Sequence, residues 1–566
     1  MGARTLCSPS INLARVPSAR VRTSPRAITL AASIAWRHVA DDPVRAVLLA
    51  WRVLPAPLRP LVGKAGPYGT AAALWGAGER AAAFQALDGR PRRLAAFALA
   101  VDQPAVARAA LSRLDGEDPR LSARLAWREG RLTDARRALD GSRKQSRLRR
   151  TLEAQQAMLD NTSAPQAEPR ERGKRRHAAG IRVLHLVTDA LPDTSAGYTI
   201  RTHAIARAQR AAGLDAHVVT GLGFPVTKGV LDGRRQLTLD GVPYHRLLPW
   251  TMDDQAIRHA ARLTERLRPD VLHPASNYRN AQLALALRAK FQIPVVYEVR
   301  GFWEDTWLSR HPDDEDLKNS ELYERIRAAE TACMKQADLV VTLGEAMRDE
   351  IASRGVPPGK IRIVPNAVDE AFLEPLIKQP HDEYLVGTVT TLTPHEGIGT
   401  LLQATKILRD QGVPARALIV GDGPELPALR RQAESGGIPA TFTGRVPAAK
   451  VRDYHALLDV FVVPRTRDRV CQLVTPLKPV EAMASGLCVV TSEVSALAEI
   501  VKHEVTGALT MPQDPVSLAD CLERLYHGPE VRDKLGAAAR DWVARDRTWS
   551  RNAERYRQAY RGLTLP

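Results

Sequence analysis

Lys478 and Glu481 stand three residues apart in Lys478-Pro-Val-Glu-Ala-Met-Ala-Ser-Gly486, just ahead of a short β-branched run, Leu487-Cys-Val-Val-Thr491. Residues at that spacing share one face of a helix. Pro479 fits the first helical position, where its missing N–H costs nothing and its fixed φ suits the helix. The spacing therefore predicts a helix that begins at Lys478. Its first amides and the positive end of its dipole would face an anion, with Lys478 adding a mobile cation. A carboxylate at Glu481 can accept two hydroxyl protons, which is what a ribose offers. The pair suits a nucleotide diphosphate, although a surface Lys–Glu ion pair would use the same residues.

The elements around this pair supply its position. Ile181-Arg-Val-Leu-His-Leu-Val-Thr188 is a buried-strand pattern leading into a Gly-containing loop and a helix over 199–212. Further strand cores fall at 215–220, 270–273, 293–299 and 338–343, and a second series at 384–390, 416–421, 459–463 and 487–491, with helical patterns between the later ones. Such alternation predicts two doubly wound α/β domains with parallel sheets, and ligands in these sheets bind beyond the carboxyl ends of the strands. The domain order read from the sequence is 181–380, 381–547 and a final helix over 548–566 returning to the first domain.

Loops after strands hold the other candidates. Arg465 follows Val460-Phe-Val-Val-Pro464, and a planar guanidinium binds phosphate oxygens through two parallel hydrogen bonds. Arg467 and Arg469 stand behind it, and a solvated basic loop is the alternative. Thr391 and Thr475 are the nearby hydroxyls on this donor side. On the other domain His273 ends one strand, while Arg300 and Glu304 end the next, in Tyr297-Glu-Val-Arg-Gly-Phe-Trp-Glu304. These three are the acceptor-side candidates, with an ordinary structural ion pair as the alternative for Arg300 and Glu304. Asp314-Glu-Asp316 lies in an acidic, helix-leading stretch rather than after a strand, so no metal is expected.

This second half resembles the retaining family 4 glycosyltransferases of the two-domain GT-B fold, in the branch reading Thr-Pro-Leu-Lys-Pro-x-Glu-Ala-Met-Ala, matched here at 475–484. The resemblance implies that Glu481 holds the ribose of a nucleotide diphosphate sugar, the co-substrate, and that basic residues hold the diphosphate, with no other cofactor. It implies that glycines at Gly197 and Gly387 let the backbone approach the donor. Two departures stand out. Leu473 occupies the place of the family's first Glu, and the Arg and Lys that many relatives carry after Gly387 are replaced by Thr390, Thr391, His395 and Glu396. The diphosphate then falls to Lys478 and Arg465. The implied activity is hexosyl transfer to a saccharide or lipid-linked saccharide, as in polysaccharide or glycoconjugate biosynthesis. A nucleotide-sugar epimerase of the same fold, or an inactive adaptor with a basic N-terminal region, are the rival readings.

Charge is unevenly placed. Residues 1–180 hold 32 Lys and Arg against 15 Asp and Glu, which leaves 49 against 48 for the remainder. Residues 1–40 contain no acid and read as a disordered basic segment; 41–160 read as Ala-rich helices, loosely tetratricopeptide-like; 161–180 read as a linker. Pro43 to Val62 would suit either a membrane surface or packing on the next domain. Peripheral contact of residues 1–180 with anionic membrane is expected, whereas nucleic acid is disfavoured by the sparse aromatics there. No apolar run reaches the roughly 18 to 20 residues of a membrane span. Five scattered cysteines without a Cys-x-x-Cys pair fit a reducing, cytoplasmic setting.

Overall fold

The computed structural model describes residues 23–53, 56–140, 146–161, 180–251, 256–309, 311 and 315–564. Proline sets the rhythm of the N-terminal third: helices Pro67–Ala77, Pro91–Ala100, Pro104–Leu111 and Pro119–Arg128 each open on one, where the ring fits the unbonded first turn. Residues 67–137 form three helical pairs, and Phe97, Leu99 and Ala107 fill the space between them. Val44 and Leu48, on the helix Pro43–Val53, are buried in this cluster. That segment therefore packs inward rather than lying along a membrane. The last pair and the helix Ser146–Asp160 dock on the next domain, where Trp127, Leu139, Leu152 and Leu159 join its core. The Leu322 amide donates to Gly130 O at 3.0 Å, and the Thr133 amide donates to Glu321 Oε2 at 2.7 Å.

The expected disordered segment instead contains a helix, Pro25–Asp41, from its second half onward; residues 1–22 lie outside the described residues. Ala27, Leu30 and Ile34 are buried against Val226 and Leu248. That apolar burial, rather than local composition, orders the segment.

The first α/β domain carries β1 (Arg182–Val187), β2 (Asp215–Thr220), β3 (Gln236–Leu239), β4 (Val242–His245), β5 (Val271–Pro274), β6 (Val296–Glu298), β7 (Leu339–Thr342) and β8 (Ile361–Ile363). The order is β3-β4-β2-β1-β5, continued through bridges of Leu272 with Val295 and Ala275 with Glu298 into β6-β7-β8. Only β3 runs antiparallel. The second domain carries β9 (Tyr384–Val389), β10 (Ala415–Val420), β11 (Ala440–Gly444), β12 (Val460–Val463), β13 (Cys488–Ser492) and β14 (Ala508–Thr510), ordered β11-β10-β9-β12-β13-β14 and wholly parallel. Successive strands are added outward in one direction from β9 to β11 and in the other from β12 to β14, so the switch point, where doubly wound folds bind ligands, lies between β9 and β12. The helix Trp549–Thr564 returns to the first domain and buries Trp549, Tyr556 and Tyr560 against Val183, Ile205 and Leu214.

Candidate functional site

The helix predicted at Lys478 spans Lys478–Ala484, with Pro479 in its first turn and Gly486 in left-handed backbone just beyond its end. Leu477, which precedes it, packs on the first domain's cluster around Tyr556. A β-carbon on Gly197 would stand 3.8 Å from Leu477 Cδ1. Gly197 opens the 15-residue helix Gly197–Ala211, so that helix's amide end faces the start of the Lys478 helix across the cleft.

Around this gap the structure gathers Lys478, Glu481, Arg465 and the loop after β9. Lys478 Nζ donates to Thr390 Oγ1 at 2.7 Å. Arg465 is buried; its Nη2 donates to Glu396 Oε1 at 2.9 Å and its Nη1 to Val474 O at 3.0 Å, leaving Nε without a partner. Burial would raise the Glu396 carboxyl, but Arg465 and Lys478 outweigh it and hold it down to about 2. Burial lowers Lys478, with Glu396 the strongest of the neighbours opposing that. Glu481 differs from Glu396: among the described residues none donates a hydrogen bond to its carboxylate, and burial pushes it up to about 7, Lys478 opposing and Asp369 adding. Glu481 is half-buried, so its carboxylate keeps acceptor capacity free for incoming hydroxyl donors.

Glu396 and Thr390 are partners that the sequence reading did not assign. The backbone signal for the first is Gly397, at φ 68° and with its Cα so close to Pro464 that a β-carbon would stand 1.9 Å from Pro464 O. Only glycine lets the loop after β9 close onto the loop after β12, and that approach brings Glu396 to Arg465. Thr391 is exposed on the same loop. Thr475 is buried; its carbonyl accepts from Asn366 Nδ2 at 2.7 Å and its own Oγ1 has no partner among the described residues.

Several candidates lie elsewhere. Gly387 sits inside β9, where a β-carbon would stand 2.2 Å from Leu418 O, so it serves the packing of β9 on β10 rather than a donor loop. Arg469 crosses the cleft and pairs with Asp305 Oδ2 at 3.2 Å and Glu350 Oε2 at 2.7 Å, a tie between domains. His273 is fully buried, with Nε2 3.0 Å from Glu298 Oε2 and Nδ1 2.5 Å from Tyr560 Oη; burial lowers its pKa, and it belongs to the core under the crossover helix. Glu304 is buried against Arg354 Nη1 at 2.6 Å, the structural ion pair rather than an acceptor contact. Arg300 stays at the cleft wall in a positioning role: Nη2 pairs with Glu298 Oε2 at 2.9 Å, and Nη1 donates to Tyr198 O at 2.9 Å and Thr202 Oγ1 at 2.6 Å. It thereby holds the first turn of the helix that starts at Gly197. Asp314 lies outside the described residues.

Two facing parallel sheets, a cleft at their carboxyl ends and a returning C-terminal helix define the GT-B glycosyltransferase architecture. Solved structures agree: sucrose-phosphate synthase from Thermosynechococcus elongatus superposes with a TM-score of 0.54 at 20% identity, over 68% of this chain and 99% of its own. Anabaena HepE, solved in complex with UDP, gives 0.53 at 17% identity, over 68% and 100%. Residues 196–367 match the family described as Glycosyl transferase 4-like domain and residues 372–542 the family described as Glycosyl transferases group 1. Both matches are to glycosyltransferase families, one on each half of the cleft.

Among curated relatives, the GDP-mannose-dependent alpha-(1-6)-phosphatidylinositol monomannoside mannosyltransferase of Mycobacterium tuberculosis is 29% identical over 238 residues, 40% of this chain and 62% of the relative. Sulfoquinovosyl transferase of Arabidopsis thaliana is 25% identical over 53% of this chain and 58% of its own. The chain thus spans about three fifths of the length of these two relatives. Glycogen synthase of Mycobacterium tuberculosis is 25% identical over 67% of this chain and 94% of its own.

Proposed function

We propose that this chain transfers a hexosyl group from a nucleotide diphosphate sugar to a saccharide or lipid-linked saccharide, with retention at the anomeric carbon and without a metal, in building a polysaccharide or glycoconjugate. The observation that carries the reading is the convergence of Lys478, Arg465 and an unpaired Glu481 at one cleft wall, opposite the amide end of the helix at Gly197. In this reading Glu481 accepts the two ribose hydroxyl protons. Lys478, the free Nε of Arg465 and the Gly197 amides stabilise the charge that builds on the departing diphosphate. The leaving phosphate oxygen takes the proton of the incoming hydroxyl on the same face, so the chemistry needs no second carboxylate at glycosidase spacing.

The GDP-mannose dependence named for one relative supports a hexose donor. The test is binding of a panel of nucleotide sugars, followed by turnover of the tightest with Lys478→Ala. Loss of one charge-assisted contact to a leaving group costs on the order of 10²-fold in turnover. Unchanged turnover in a folded Lys478→Ala variant would overturn the assignment.

A further inference from the structure

We propose that the helix Pro25–Asp41 seats the rim of the cleft on an anionic lipid bilayer. Its inner face is accounted for: Ala27, Leu30 and Ile34 cover Val226 and Leu248, Arg26 Nη1 donates to Leu248 O at 3.0 Å, and the Arg26 guanidinium lies 4.6 Å from the Trp250 ring centre. Val226, Leu248 and Trp250 sit in the loops that follow β2 and β4. Both strands run parallel to β1, so these loops crown the cleft end of the first domain.

The outer face is the anomaly. Ile28, Thr29, Ala32, Ala35 and Trp36 face solvent with no charged residue among them. Ile28 is 53% exposed and Trp36 is 70% exposed. The Thr29 hydroxyl donates to Pro25 O at 2.9 Å, so its hydrogen-bonding need is met within the helix. An ordinary surface helix carries polar residues on such a face. Apolar stripes there mark a surface that meets another phase or partner. Ile28 and Trp36 are eight residues apart, a stripe about 12 Å long at the helical rise. No described helix is long and apolar enough to cross a membrane, so the contact is with the surface.

Charge selects the occupant. Residues 1–40 hold six arginines and no acidic residue, the first acids being Asp41 and Asp42 at the helix end; Arg26 is turned inward, and each of the other cations that reaches an anionic leaflet contributes about 1 kcal/mol. A second copy of the chain would bring the same positive segment against itself. The preceding residues 1–22 hold four of those six arginines and no acid to offset them.

The test is cosedimentation of the full chain with phosphatidylcholine vesicles, with and without phosphatidylglycerol, at low and high salt. The expected result is binding that needs phosphatidylglycerol, weakens with salt and falls about tenfold or more in Ile28→Glu/Trp36→Glu. The control Ile377→Glu, at a position 86% exposed in the segment joining the two α/β domains, should bind as the wild type does. Equal binding by the double variant and the wild type, or indifference of the wild type to phosphatidylglycerol, would refute the proposal. So would a lipid-free dimer that the double variant abolishes, since the stripe would then serve self-association. The measurement uses neither donor nor acceptor, so its failure leaves the transferase reading standing.

Discussion

Glu481 makes the donor site a pH-dependent one. Burial raises its carboxyl to about 7, while its proposed task, accepting two ribose hydroxyl protons, requires the ionised form. If ribose binds the carboxylate alone, the apparent dissociation constant of a nucleotide sugar is about elevenfold larger at pH 6 than on its alkaline plateau, and about twofold larger at pH 7. The groups facing Glu481 do not reproduce that limb. Lys478 would act in the opposite sense, losing charge as pH rises. His395 lies on the neighbouring loop, and burial lowers its pKa, moving its titration to the acid side of an ordinary imidazole's. Asp369 pairs with Arg207. The diphosphate of a nucleotide sugar, esterified at both ends, does not titrate there.

The same shift acts on stability with a definite sign. Between the ordinary carboxyl value of 4.5 and about 7, the folded chain keeps a proton that the unfolded chain has lost, so stability falls as pH rises through that window. Above it the cost is constant, at most about 3 kcal/mol. Calorimetric titration of a nucleotide sugar from pH 6 to 8 should show the tenfold change, and Glu481→Gln should bind weakly and evenly while melting higher than the wild type at pH 8. A dissociation constant flat across that range in the wild type, or a slope that survives in Glu481→Gln, would refute the reasoning.

Three further outcomes are expected. Glu396→Gln removes the strongest neighbouring support for the charge on Lys478, so the alkaline limb of the pH–rate profile should move to lower pH, which a purely structural role would not produce. Glu499→Ala strips the carboxylate that accepts from the Glu345 and Ala346 amides at 2.7 and 2.6 Å across the cleft. At about 1 kcal/mol for a lost helix cap, the ratio of this domain arrangement to more open ones should fall about fivefold, read as a larger radius of gyration by small-angle scattering. Glu304→Gln breaks the pair with Arg354, both side chains almost wholly buried; thermal melts should register a loss of about 3 kcal/mol or more, with nucleotide affinity unchanged in the folded fraction.

The parallel sheets were legible because continuous apolar runs such as Val460-Phe-Val-Val463 leave little choice but a strand buried on both faces, and the observed strand lies where that run does. The start of the helix at Lys478 was legible because Pro479 and the Lys–Glu spacing act locally. What the sequence concealed was long-range pairing. His273 and Glu304 are polar residues near strand ends, a pattern shared by cleft residues and core residues alike. Their partners Tyr560 and Arg354 lie far along the chain, and those partners decide the matter. The resemblance gave Gly387 a donor-approach role, yet it lies within the strand Tyr384–Val389, as the strand core read at 384–390 required. The helix Pro25–Asp41 was hidden for the same reason, since its ordering surface, Val226 and Leu248, is some two hundred residues away.

The two departures from the family pattern make sense together. The family pattern that this sequence resembles has an acid at the position of Leu473 and bases after the position of Gly387, a stretch that here carries Glu396. Here Leu473 joins the apolar core of the first domain with Tyr297 and Phe302, while Glu396 supplies a permanent anion against Arg465. The fixed charges at the wall are then two cations, one anion and a Glu481 that is half-protonated near neutrality. A third carboxylate at 473 would outnumber the cations with every acid ionised and would repel a diphosphate in a poorly screened cleft. With leucine there, the site stays balanced rather than turning negative once Glu481 ionises. Arg465, held at both nitrogens of its fork, is fixed in place before the diphosphate arrives. Preorganised charge of this kind costs no reorganisation when the bond breaks. On the proposed reading the two cations divide the labour: Lys478, tied to the Thr390 hydroxyl, follows the phosphate as it departs, and Arg465 defines where it departs to.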